Sequence, residues 1–542
     1  MKKSILFLLI CLPIANLFAQ NYKEVPYINS SQVVGVYNIG KYAATLLNEG
    51  NRSVDQKDVY VLRYLDENTK SQEIAVEQNS RLFGVETADN VSVFIFNGRQ
   101  ELSFVYVKPN AKPVVKVIYT AENFQFYPVY ESSINPNGNM VLLRSYAEIG
   151  KDIKGRDSIL ERGIEYLNLN DMGDLTVNRL EPTDEELAFN VVSIFPTAEG
   201  NVFLMESNSR KKDLYELKLN ICDKIGNIRG SYSLSQANTY FPSDIISDNG
   251  NFVVSGYYLN GNIFTAKNTE GLFVTVLNAD GTQKNLNTFD WENIKSKLKD
   301  QKSGDFLFSG KMKVLVEKIN TTSTGYSIVC ESYTGGSGVT TAEFLLGGNS
   351  GSEYVVSVYD FVVFETNKTG ELTNVNILEK ERSNIEVGGN LRNLKAIQMA
   401  STLKKYKVFP FRGIQGNEIV FISYKKNIGY YATLNMSTGA ISEGKQILIE
   451  PVIEEKVDKD WEAMKGNSGA LSKLDKLSQK VDNFEKKVDE VGNNAVYGLE
   501  KIDQRFNPYE KATSGFFLLN DSKAVVYLLN AETFSLYYDY LN

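Results

Sequence analysis

The chain has 542 residues, 42% hydrophobic and 23% charged, with a formal charge of −8 and no histidine. Without imidazole, Ser-His-Asp and Cys-His catalysis and His-ligated zinc, copper or non-haem iron are excluded, and the dispersed acidity gives no basic footprint for nucleic acid. Carboxylate, Lys or Tyr chemistry and oxygen-ligated calcium remain open.

At the N-terminus, Lys2 and Lys3 precede an apolar run from Ile5 to Ile14, followed by Ala15-Asn16-Leu17-Phe18-Ala19-Gln20. The run is too short for a membrane helix and has the basic, apolar, small order of a secretory signal, with cleavage expected after Ala19. Ile10 stands before Cys11 where a lipobox needs a small residue, so no lipid anchor is expected. No later run reaches membrane-helix length, which predicts export to the periplasm or, second, to the exterior. After cleavage Cys222 and Cys330 remain, both in apolar strand-like runs; two buried thiols are favoured over a bridge.

Two phrases then recur along the chain. The first is a Gly-containing turn followed by an apolar run, as in NPNGNMVLLRSY (135–146), AEGNVFLMES (198–207), DNGNFVVSGYY (248–258) and IQGNEIVFISY (414–424), with STGYSIVCESY (323–333) as a looser copy. Aromatic-Pro pairs precede most of these (Tyr127-Pro128, Phe195-Pro196, Phe241-Pro242, Phe409-Pro410), which suits a strand start or edge. The second is a strand, Leu-Asn or a variant, a polar turn and another strand: EYLNLNDMGDLTV (165–177), LKLNICDKIGNIRG (217–230), VTVLNADGTQKNL (274–286), VFETNKTGELTNV (363–375), ATLNMSTGAISEG (432–444) and VVYLLNAETFSLY (525–537). VLRYLDENTKSQEI (61–74) is its first member. Each phrase reads as a hairpin.

Two hairpins make a four-stranded antiparallel module, repeated about six to eight times. An all-β fold of this kind reads as a β-propeller, with paired β-sandwiches or a β-solenoid as alternatives. Polar inserts at 151–162 and 334–352, the second containing Gly335-Gly336-Ser337-Gly338, read as loops. The exported start, the NGN-plus-aromatic strands and the Asn/Lys/Tyr-rich composition together resemble exported β-propeller-like envelope proteins of Bacteroidota. That resemblance implies fold and compartment and assigns no site residue.

Helices are expected at 290–299, capped by Asp290 with Trp291, Ile294 and Leu298 on one face, and at 390–404. Near the C-terminus Leu474, Leu477, Val481, Phe484, Val488 and Val491 step by three and four. This is an amphipathic helix close to three heptads long, and a shorter one follows before Pro508. The stripe either packs on the β domain or forms a coiled-coil arm for a partner or second copy. The expected organisation is a signal at 1–19, propeller repeats at 20–451, a helical insertion at 452–512 and a closing hairpin at 513–542.

Asp171, Asp174, Asp248 and Asp280 sit in turns without the ligand series of a calcium loop, and read as turn formers. Thr183 and Glu186 have capping-box spacing. No cofactor, metal site or catalytic residue is assigned. The expected function is non-catalytic binding of a protein or envelope component. The alternative is a carbohydrate-active hydrolase or lyase using carboxylates and Tyr. Clustered Asp/Glu with exposed Tyr at a central channel would favour the alternative, and apolar or small lining residues the binding reading.

Overall fold

The computed structural model describes residues 23–24, 33–447 and 512–541 apart from internal segments, the longest being 298–312, 338–352 and 389–403. The expected signal at 1–19, the stripe from Leu474 to Val491, the Thr183–Glu186 capping box and all of the 390–404 helix except Lys404 lie outside the described residues.

β1 is Lys23–Glu24. A first sheet follows from β2 (Val33–Ile39), β3 (Tyr42–Arg52), β4 (Lys57–Tyr64) and β5 (Gln72–Glu77). The second has β6 (Arg81–Ala88), β7 (Val91–Asn97), β8 (Glu101–Val107) and β9 (Val114–Tyr119). The third has five strands: β10 (Phe124–Phe126), β11 (Glu131–Ile134), β12 (Met140–Lys151), β13 (Asp157–Leu169) and β14 (Leu175–Leu180). The fourth comprises β15 (Ala188–Thr197), β16 (Gly200–Ser209), β17 (Leu214–Cys222) and β18 (Ile228–Ser233). The fifth comprises β19 (Asn238–Asp248), β20 (Asn251–Asn260), β21 (Gly271–Leu277) and β22 (Gln283–Asp290), and is followed by α1 (Trp291–Lys297). Five strands again make the sixth: β23 (Lys313–Thr321), β24 (Gly325–Ser337), β25 (Glu353–Asn367), β26 (Leu372–Leu378) and β27 (Ser383–Gly388). The seventh has β28 (Phe411–Gln415), β29 (Glu418–Lys425), β30 (Ile428–Asn435) and β31 (Lys445–Ile447). In the eighth, β32 (Ala512–Leu518), β33 (Ala524–Asn530) and β34 (Ser535–Leu541) are joined by β1.

All these pairings are antiparallel, and they join chain neighbours except β10 with β12, β25 with β27, and β1 with β34, where Lys23 stands opposite Tyr538. The first strands of successive sheets lie side by side, β2 on β6, then β11, β15, β19 and β23, and β28 on β32. β32 returns to β2, so the sheets close into a ring. This is a β-propeller, and among the described residues it has eight sheets.

The apolar content is divided among clusters between neighbouring sheets. Phe94, Phe96, Val105 and Val107 of the second sheet meet Leu46, Tyr60 and Leu62 of the first. Val253, Leu272 and Val274 of the fifth meet Val316, Ile328 and Phe364 of the sixth. A middle strand is therefore covered on both faces, which is why β21 is buried at every position and shows no polar alternation. Cys222 and Cys330 lie free in separate clusters, and burial pushes the Cys222 thiol up to about 12.

The first phrase is the hairpin between first and second strands, and the second phrase mostly joins third and fourth. The turn at Asn249-Gly250 has positive φ at both residues, 51° and 77°, the type I′ geometry favoured by Asn-Gly. In the second phrase the Asn or Asp side chain closes the turn. Asn170 Oδ1 accepts the Asp174 N–H at 2.7 Å, Asp223 Oδ1 that of Asn227 at 2.9 Å, and Asn367 Oδ1 that of Glu371 at 2.9 Å.

Three expectations change. The 525–537 hairpin joins the second and third strands of its sheet, because the fourth is β1. Lys151 and residues 157–162 belong to β12 and β13, and Thr334, Gly335, Gly336 and Ser337 extend β24, so these stretches are paired strand. Polar residues serve there because the hairpins run past their neighbours, while ladder bonds satisfy the backbone. The expected helix is α1, from Trp291 to Lys297, and the Asp290 cap accepts the Asn293 N–H at 2.7 Å.

Candidate functional site

In an antiparallel sheet of four strands that meander outward, the turn after the first strand and the turn after the third lie at the same end. The other connections lie at the opposite end. Two faces of the ring follow. On one, the chain turns within two residues at Gly40-Lys41, Ala198-Glu199, Asn249-Gly250 and Gly416-Asn417. On the other, β12 and β13 stay paired out to Lys151 and Asp157, and β24 and β25 out to Ser337 and Tyr354. Fifth strands flank both projections: β10 pairs with Tyr146 to Glu148, and β27 with Glu353 to Val358. β31 also ends, and β32 begins, at this second face.

The innermost strands share another feature. Each of β2, β6, β15, β19, β23 and β28 carries a bulge, whose unpaired residues are Val34, Phe83, Val192, Ser243, Glu317 and Arg412. In the third sheet the first strand is interrupted between β10 and β11 instead. A bulge bends its strand and re-aims the extra side chain. The bulges sit at comparable depth, three to five residues before the last residue of each strand, and so form one tier around the inner strands.

Around this tier the chemistry is divided. Val34 and Phe83, each 39% exposed, and the partly buried Val192 form an apolar sector. Ser243, Glu317 and Arg412, from three consecutive sheets, form a polar one. Lys404 Nζ donates to Ser243 O at 2.7 Å and to Val316 O at 3.2 Å, bridging two bulges. Asp244 Oδ2 accepts the Ile319 N–H at 2.7 Å. Glu331 Oε2 accepts the Phe411 N–H at 3.2 Å, and its Oε1 is 3.2 Å from Lys380 Nζ. Arg412 donates to the carbonyls of Phe409 and Phe411.

Glu317 differs from these neighbours. It is 9% exposed and makes no hydrogen bond or ion pair with any described residue. Desolvation, helped by the nearby Glu331 and Asp244 charges and opposed by Lys404 and Arg412, pushes its carboxyl up to about 8. At neutral pH it is mostly a neutral acid, able to donate as well as accept.

Neither channel pattern set out from the sequence is met alone. Three acids do approach one another, but Asp244 and Glu331 are committed to backbone N–H groups, and Glu331 also to Lys380. The nearby Tyr257 and Tyr333 are buried at 3% exposure rather than presented to a ligand. Paired-carboxylate hydrolysis needs two acids facing one bond, and this sector offers one uncommitted carboxyl. The turn aspartates stay apart: Asp280 Oδ1 accepts the Thr282 N–H at 2.9 Å, and Asp248 Oδ2 meets Tyr326 Oη at 3.0 Å and Lys368 Nζ at 2.8 Å. Among the described residues no group of three such ligands is placed to hold a metal ion, and no helix is long and apolar enough to cross a membrane.

This cluster was not legible in the sequence. Its one local signal is a polar residue inside an apolar strand, Glu317 in Val314-Leu315-Val316-Glu317-Lys318-Ile319, and such residues are common on exposed edges.

No family model matches the chain, and no curated protein matches it by sequence. Among solved structures it is similar to a prolyl endopeptidase at 9% identity and TM-score 0.33, over 77% of this chain and 50% of that one. It thus spans half the length of that enzyme. It is also similar to the β-propeller domain of the Trilobed protease from Pyrococcus furiosus (10% identity, TM-score 0.28, 77% of this chain and 94% of that one). The WD40 domain of Toxoplasma gondii coronin is a third (9% identity, TM-score 0.25, 70% and 89%). At such identities the likeness concerns fold alone, and the strand pairing itself establishes the β-propeller.

Proposed function

We propose that the chain is a periplasmic binding scaffold that engages a protein or another cell-envelope component through the face carrying its long connections. One observation carries this reading: the elaborations gather on one face. The opposite face has tight turns closed by their own Asn and Asp side chains, leaving little there for a partner to grip. Propeller architecture suits a binding or scaffold role in general, and fold alone names no partner. The projecting β12–β13 hairpin ends near Ile153, which is fully exposed.

The test is affinity capture from the native envelope fraction, run in parallel with wild type and Ile153→Asp. A component retained by the wild type and lost by the variant supports the reading. Identical captures, or none, overturn it. Fractionation of cells expressing the full chain tests the compartment, and recovery in the cytoplasm would refute the periplasmic part.

Hydrolysis or lysis of a glycan is the second reading, favoured by the raised Glu317 carboxyl beside Glu331 and Asp244. Release of reducing ends from envelope glycans by wild type but not by Glu317→Gln would establish it.

A further inference from the structure

We propose that the adjacent bulges of the fifth and sixth sheets form a binding site for a carboxylate, held by Lys404, Ser243 and Glu317. The site is distinct from the hairpin tip and does not depend on the envelope partner. Two side chains on adjacent bulges have no partner among the described residues. Ser243, half-buried, makes no side-chain hydrogen bond with any described residue, and Glu317 is unpartnered while more than nine-tenths buried. Between these bulges lies the Lys404 ammonium, which donates to one carbonyl on each side. An ammonium has three donors, so one is not taken by any described residue.

The charges decide which ligand fits. The groups facing Glu317 are Asp244 from β19, Glu331 from β24, Arg412 from β28 and Lys404 from the segment before it. Its charge is also felt by Tyr257 of β20 and Cys330 of β24, both held in their neutral forms by burial. Glu331 and Lys380 form an ion pair, leaving Lys404 and Arg412 against Asp244 alone. With Glu317 neutral the site carries an excess positive charge and three hydrogen-bond donors, from an ammonium, a hydroxyl and a carboxylic acid. A metal cation or an amine would meet like charge there. A carboxylate satisfies all three donors and neutralises the excess.

Two sources present this group, the C-terminus of a peptide and a sugar acid, and the experiment separates them. The full chain is titrated, by calorimetry or protein-observed NMR, with Ala-Ala-Ala against its C-terminal amide and with glucuronate against glucose. The acid of at least one pair should bind at about pH 6.5 and weaken about tenfold or more by about pH 9, as Glu317 ionises and repels it. Glu317→Gln should bind at both pH values. Ser243→Ala should weaken binding several-fold, and Lys404→Met should abolish it. If Lys404→Met does not fold, the pH profile and Ser243→Ala still decide the matter. Equal binding of acid and neutral analogue, wild-type affinity independent of pH, or no binding in any arm would each overturn the proposal.

Discussion

The two faces of the ring use the same polar residue types for different ends. On the short-turn face polar side chains close on their own backbone: Asn367 Oδ1 accepts from Thr369 N at 3.0 Å and from Glu371 N at 2.9 Å. Asp248 ties neighbouring sheets together through Tyr326 and Lys368. Polar groups on the bulges of the inner strands are brought together from three sheets and from Lys404, and one carboxyl, that of Glu317, has no partner among the described residues. The first arrangement is local and repeats with the sequence. The second exists only because strands far apart in the chain stand side by side.

Four measurements would break or sharpen this contrast. The largest effect is expected for Glu331→Ala, which strands Lys380, 1% exposed at its side chain, as a buried unpaired cation. A loss of about 3–5 kcal/mol in chemical denaturation is expected, and a loss below about 1 kcal/mol would show that Lys380 reaches water without its partner.

Opposite responses to pH come next. Glu317 has its carboxyl raised to about 8 in the fold from an ordinary 4.5. The folded state therefore holds its proton longer, and stability is greatest below the ordinary value and declines as pH rises toward the raised one. Asp248, held below its ordinary range first by the hydrogen bond from Lys368, contributes stability that is lost on acidification. Melting temperature against pH should flatten on the alkaline side in Glu317→Gln and on the acid side in Asp248→Asn. The reverse assignment would refute the contrast.

Asn367→Ala should cost about 1 kcal/mol by removing a turn closure. Smallest of all, Ile153→Asp should change stability by less than about 0.5 kcal/mol, because this fully exposed side chain holds nothing within the ring. A clear destabilisation there would mean that the projecting hairpin is part of the folding core and a poor candidate for a partner surface.

Much of the architecture was legible because hairpin chemistry is local. Asn-Gly turns and the Asn four residues before its backbone partner announce themselves in the chain, and they marked most of the sheets. The second sheet escaped because Asp89-Asn90 joins β6 to β7 without glycine, so neither phrase registers there. The polar stretch from Lys151 to Arg162 read as loop because polarity alone does not separate a solvated hairpin from an irregular turn.

The sequence by itself determined the repeat unit, the antiparallel class, the cap at Asp290 and the absence of imidazole chemistry, since each depends on residues a few positions apart. Only the tertiary structure decided that β1 closes the ring on β34, a pairing that spans nearly the whole chain. It alone brought Ser243, Glu317, Lys404 and Arg412 together on neighbouring bulges. Glu317 is an ordinary acid in sequence. It becomes a proton-holding one because burial among neighbouring sheets removes its water, with the Glu331 and Asp244 charges adding to the effect.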